Sequence, residues 1–266
     1  MPYLIGFFIA LCIALTGVGA GTITVPVLML FLGVPAPLAV ALGLTFAAAV
    51  KLLLTPAQIA RRTVSWPALR LMLLGGLPGI LLGSLLLRRF VGSASLLHAT
   101  LGVLLIATAV WQILFHFRPV RAQSAPRDRG FLLSCLMLPV GAEVGFSSAG
   151  AGALGSAALL AFTPLDPAQV IGTDIVFGAI LSLFGALAHG LPQTLRAPLL
   201  LPMLLGGIPG AFTGMMLAAR LPRRPLRLAL WLMLLLLGSQ LLHSGLATTR
   251  AARLAAHAIR TRSAAA

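Results

Sequence analysis

Two carboxylates and one ammonium stand where apolar side chains are expected. Of the four acidic residues, Asp128 and Asp166 fall in polar connections, whereas Glu143 and Asp174 interrupt continuous apolar runs. Lys51 is the only lysine and stands near the end of another such run. A charge near the bilayer centre costs about 2.5–3.5 kcal/mol on insertion scales, so residues kept there are candidates for handling a substrate, an ion or a proton. Asp174, in Val170-Ile171-Gly172-Thr173-Asp174-Ile175-Val176, can carry a coupling proton or act as a structural carboxylate that accepts hydrogen bonds from helix-break amides. Lys51 can attract an anion or snorkel its ammonium to the interface. The two can also pair with each other. Glu143, two residues after Gly141, is a weaker candidate for the same proton-handling role. His189, beside Gly190, reads equally as an interfacial residue or a proton relay.

The second chemical feature is backbone, not side chain. Gly17, Gly19 and Gly21 cluster ahead of Pro26, and Gly150 and Gly152 follow Ser147 and Ser148. Such clusters interrupt an apolar helix and free backbone groups that a continuous helix keeps occupied. Gly19, Gly21, Ser148, Gly150 and Gly152, with Lys51 and Thr173, are therefore the expected substrate-binding residues, and Asp174 and Glu143 the expected proton-coupling ones. The spaced pairs Gly79/Gly83 and Gly210/Gly214 read instead as close helix packing.

These residues need an apolar scaffold, and the composition supplies one. The 266 residues are 59% hydrophobic and 9% charged, with a mean hydropathy of +1.06, leaving too little polar surface to cover a water-soluble globule. The runs are continuous and rich in Leu, Ala and Gly, which excludes the alternation of a membrane β-barrel. The expected fold is an all-α polytopic membrane protein. Spans are expected at about Tyr3–Gly33, Pro37–Leu54, Trp66–Leu87 and Ser95–Phe115, then at Phe131–Phe162, Ala168–His189, Ala197–Ala218 and Leu226–His243. That makes about eight crossings, rising to ten if the first segment of each half is a broken hairpin. The net charge of +15 is almost all Arg in short connections, which reads as loop anchoring and not as nucleic-acid binding.

Sliding the sequence on itself by about 131 positions lays Leu73-Leu74-Gly75-Gly76-Leu77-Pro78-Gly79 on Leu204-Leu205-Gly206-Gly207-Ile208-Pro209-Gly210. The same shift lays Gly19-Ala20-Gly21 on Gly150-Ala151-Gly152. One offset that aligns two separate motifs points to a duplication. It divides the chain into a first repeat at 1–117, a polar loop at 118–130, a second repeat at 131–247 and a basic tail at 248–266. The shift sets Asp174 against Gly43 and Lys51 against Ser182, so each half keeps a charge that the other lacks. With eight crossings, basic residues distribute about 11 to 6 and favour cytoplasmic termini; with two hairpins the halves become inverted and the count decides nothing.

The segments Leu15-Thr16-Gly17-Val18-Gly19-Ala20-Gly21, Phe146-Ser147-Ser148-Ala149-Gly150-Ala151-Gly152, Ile171-Gly172-Thr173-Asp174-Ile175-Val176 and Leu205-Gly206-Gly207-Ile208-Pro209-Gly210 resemble the TauE/SafE family of sulfite and organosulfonate exporters, over nearly the whole chain. The resemblance implies a multi-pass carrier in a bacterial or archaeal inner membrane that moves sulfur-containing or related organic anions. It also implies a Lys at the position of Lys51. Two positions depart from it: the first-half Gly-Thr-Asp segment reads Ala41-Leu42-Gly43, and Phe177 stands where a His often follows the second-half Asp. If those positions bind substrate or protons in relatives, this member has its own substrate or coupling ion.

No Gly-x-Ser-x-Gly, phosphate-binding loop, Cys-x-x-Cys or His-Glu-x-x-His occurs, so the expectation is a non-enzyme with no cofactor and no metal. The expected partners are a small anion and the lipid bilayer, with no nucleic acid and with a homodimer left open. Export of a small anion coupled to the proton gradient is the leading reading. A passive anion channel or a non-transporting membrane scaffold are the alternatives.

Overall fold

A computed structural model describes residues 1–16, 20–90, 94–116, 130–150, 152–195, 197–218, 228–229 and 231–247. Among these the chain is helical throughout: α1 Pro2–Thr16, α2 Ala20–Leu32, α3 Ala36–Ala60, α4 Trp66–Phe90, α5 Ala94–His116, α6 Gly130–Ser147, α7 Ala153–Phe162, α8 Pro167–Ala188, a short α9 Leu191–Leu195, α10 Leu200–Ala218 and α11 Trp231–Ala247. Six of these, α3, α4, α5, α6, α8 and α10, are long and apolar enough to cross a membrane. The chain is an all-α polytopic membrane protein. The boundary at 118–130, Gly130 apart, and the tail at 248–266 lie outside the described residues.

Local signals set several helix ends. Asp166 accepts a hydrogen bond from the Gln169 amide at 2.8 Å while the Gln169 side chain reaches back to the Asp166 amide, and Pro167 follows at the first helical position. That reciprocal cap starts α8. The second span is expected to end at about Leu54, yet α3 continues through Pro56 to Ala60. Pro56 lacks an amide hydrogen to offer the preceding turn, and the Thr55 hydroxyl bonds the Lys51 carbonyl at 2.9 Å beside it. Lys51 is thereby well inside a helix and only 4% exposed, which removes the ground for a snorkelling reading.

The tightest packing is between halves, α4 on α6 and α1 on α10. Gly75, Gly79 and Gly83 of α4 lie in turn against Ser134, Leu138 and Ala142 of α6. Gly206, Gly210 and Gly214 of α10 lie against Tyr3, Phe7 and Leu11 of α1. Every residue in the second set is its counterpart in the first displaced by the shift of about 131, and both pairs of helices run parallel. Gly76 and Gly207 extend the pattern, since they meet the rings of Phe177 and Phe46, which the same shift also relates. The spaced glycines are thus helix-packing positions, as expected. Gly79→Leu forces a side chain into the Leu138 carbonyl; overpacking costs about 1–3 kcal/mol or more. We expect a lower unfolding midpoint for detergent-purified Gly79→Leu, and an unchanged midpoint would show that α4 and α6 separate without penalty.

Direction is read from the same contacts. Lys51 meets Gly178 and Leu44 meets Gly185, so α3 and α8 run antiparallel; Gly102 meets Gly238 and Leu242 while Gly245 meets Ala99, so α5 and α11 do too. Helices equivalent under the shift point in opposite directions, and the halves are inverted. Within each half, Gly43 lies against Val25, and Gly155 against Asp174. Hence α2 and α7 each fold back along the helix that follows. At 1.5 Å per residue α1 and α2 are about 22 and 20 Å long, short of the roughly 30 Å hydrocarbon layer. The first segment of each half is therefore a broken hairpin, its arms α1 and α2 in the first half and α6 and α7 in the second.

Candidate functional site: a buried charge pair beside two broken hairpins

The pairings of α3 with α8 bring the equivalent residues Ala49 and Ile180 level with one another, which marks the centre of the inverted repeat. Lys51 lies about 3 Å and Asp174 about 9 Å from that level, both toward the end of α3 and the start of α8. Each is 4% exposed. The Lys51 ammonium packs on Gly178, where an added Cβ would overlap it. Asp174 lies one turn away on the same helix. Each charge acts on the other electrostatically, but no direct ion pair joins them among the described residues.

Asp174 Oδ2 accepts a hydrogen bond from Ser156 Oγ at 3.0 Å. Its Oδ1 is buried with no hydrogen-bond partner and lies against Gly155, in the first turn of α7, with the Met72 side chain close by. Buried polar atoms are rarely left unpaired, because an unmet acceptor carries a desolvation penalty of about 1–3 kcal/mol. An unpaired carboxylate oxygen beside a helix N-terminus is a group prepared to receive a proton or a ligand.

The second break lies between α6 and α7. Ser147 Oγ bonds the Glu143 carbonyl at 2.9 Å and accepts from the Ala149 amide at 3.2 Å. Ser148 takes a left-handed φ of 61°, Gly150 of 89° and Gly152 of 120°, and α7 begins at Ala153. A residue with a Cβ is strained at such φ values, which is why glycine recurs here. Ser148 Oγ is buried without a partner against Gly21 of α2 and Gly43 of α3, so the second break packs on the first half. Glu143 faces Gly150 and accepts a hydrogen bond from the Thr108 hydroxyl of α5.

The expected site residues therefore fall into three groups. Lys51 and Asp174 come together; Gly21, Ser148, Gly150 and Glu143 gather around the second break, with Gly152 opening α7. Thr173 faces elsewhere, accepting from the Ser65 amide at 2.9 Å and so fixing α8 to the start of α4. Gly19 lies outside the described residues. His189 bonds the Gly145 carbonyl at 2.8 Å, and Arg88 donates to the Ala188 carbonyl, so both tie down the end of α8. Ser156 and Thr108 were not foreseen. For Ser156 a signal existed: it stands opposite Val25 under the repeat, so Val25/Gly43 in one half becomes Ser156/Asp174 in the other. Thr108 carried none, being one hydroxyl in an apolar span.

The sulfite exporter TauE/SafE family profile matches residues 3–241. A relative described as "Probable membrane transporter protein YjnA", from Bacillus subtilis (strain 168), is 27% identical over 209 residues, covering 75% of this chain and 82% of its own. No solved structure matches. With a helical scaffold of this kind and a match over nearly its whole length, the chain belongs to the sulfite exporter TauE/SafE family of membrane transporters.

Proposed function

We propose that this protein is a secondary transporter that exports sulfite, an organosulfonate or a related small organic anion across the bacterial inner membrane, with flux coupled to the proton gradient. The observation that carries the reading is the buried Lys51 and Asp174 near the centre of an inverted repeat, beside two broken hairpins. In this reading Lys51 holds the anion, the freed backbone groups around Ser148, Gly150 and Gly152 line its path, and Asp174 takes the coupling proton, with Glu143 as the second proton-handling group. Inverted halves with interrupted helices meeting at the midplane are the general arrangement in which one site alternates between two faces. The family name supports sulfur-containing anions.

Proteoliposome flux of sulfite and methanesulfonate, with and without an imposed pH gradient, tests it. The gradient should change the rate, and Asp174→Asn should remove that response. Flux of each anion unaltered by the gradient would indicate a passive channel. Flux unaltered by Asp174→Asn would remove Asp174 from the site.

A further inference from the structure

Lys51 and Asp174 are one positive and one negative group, both buried, and the pair is neutral as a unit. Adding an anion beside Lys51 leaves a net negative charge in a low-dielectric interior, a state that buried sites avoid by changing protonation. Within one turn of the ammonium, the group able to absorb that charge is Asp174, whose Oδ1 is unpaired. We propose that each monovalent anion binds together with one proton on Asp174, so that the loaded site is neutral and the transport step moves no net charge. The proposal rests on the reading of this pair as the transport site and adds the stoichiometry and valence of its substrate.

The groups that face Asp174 are the Lys51 ammonium from α3, the Ser156 hydroxyl from α7 and the uncharged Met72 thioether from α4. Glu143 of α6 sits apart, against Gly150 and Thr108. Along α8, the Lys51 seat and Asp174 are about 6 Å apart at 1.5 Å per residue. Two negative charges at that separation, in an effective dielectric near 20, disfavour joint occupancy by about 100-fold. Protonation lifts that penalty, and by reciprocity the anion and the proton each tighten the binding of the other by the same factor. The sign follows: anion affinity falls as pH rises. It also follows that a permanently divalent anion leaves one charge uncompensated and is excluded.

The test uses methanesulfonate, which has no group that titrates near neutral pH, so any proton taken up goes to the protein. Full-length protein in weakly buffered detergent with a pH indicator should take up one proton per methanesulfonate bound. Methanesulfonate flux in liposomes should ignore a potassium-diffusion potential, and ethane-1,2-disulfonate should compete about 100-fold more weakly. Asp174→Asn should bring the proton count to zero and make flux follow the potential. Asp166→Asn, which removes the helix-cap carboxylate at the start of α8, should leave the count at one. Wild-type flux that follows the potential, binding without proton uptake, or a count lost in Glu143→Gln and kept in Asp174→Asn would each overturn the proposal while leaving transport intact. Absence of flux for every anion would instead overturn the transporter reading itself.

Discussion

Lys51→Met lowers anion flux in proteoliposomes by about 100-fold or more. Removing one partner of a buried charge pair costs about 3–5 kcal/mol, and each 1.4 kcal/mol is tenfold. Two losses combine here. In the proposed site the anion loses its lysine, and Asp174, 4% exposed, loses the neighbouring charge that offsets it. The second loss weakens folding, so the single variant confuses stability with transport. Lys51→Met with Asp174→Asn separates them: it leaves no unmatched charge and should recover the unfolding midpoint without recovering flux. Lys51→Arg keeps the charge on a longer, forked head that must still fit against Gly178, and should retain a measurable fraction. Full flux in the double variant would show that the ammonium plays no part in moving the anion.

Gly178→Leu tests position instead of charge. An added Cβ at this glycine overlaps the Lys51 ammonium, so the ammonium must move while the chain keeps its lysine and its aspartate. The yielding group is the end of a flexible side chain, which keeps the folding cost near the lower end of the 1–3 kcal/mol typical of overpacking. Displacing a positioned group by about 1 Å reduces a rate by about 100-fold when geometry governs it, and we expect a drop of that order. Stability and flux together give the answer. A folded Gly178→Leu protein with normal flux would mean that the anion does not sit beside this turn of α8.

The two variants also show where sequence reasoning reached and where it stopped. Periodicity and composition located the spans, because each apolar helix must be about as long as the membrane is thick. The repeat located the breaks, and the unequal pairs Gly43/Asp174 and Lys51/Ser182 pointed to the charged residues. What could not be read was direction. Gly19 and Gly150 break an apolar run equally well whether the chain crosses once or turns back. The antiparallel pairing of Lys51 with Gly178 and Leu44 with Gly185 decides it. Nor does the residue order say which way Thr173 faces: adjacent helix positions differ by about 100°, and the neighbour of Asp174 points to Ser65. Seat and depth are tertiary properties, and they separate Lys51 as a core residue from Lys51 as an interfacial one.

The offset of the pair from the level of Ala49 and Ile180 has a kinetic consequence. Both charges lie on one side of the centre, with Asp174 further out than Lys51. If the proposed site is right, a solute arriving from the end of α3 meets the carboxylate before the ammonium, and on that side protonation comes first. From the opposite side the ammonium is met first, and an anion can settle before the proton does. On the proposed reading, a carrier with inverted, near-equal halves thus has two unlike entrances, and its half-saturating concentration should differ between them.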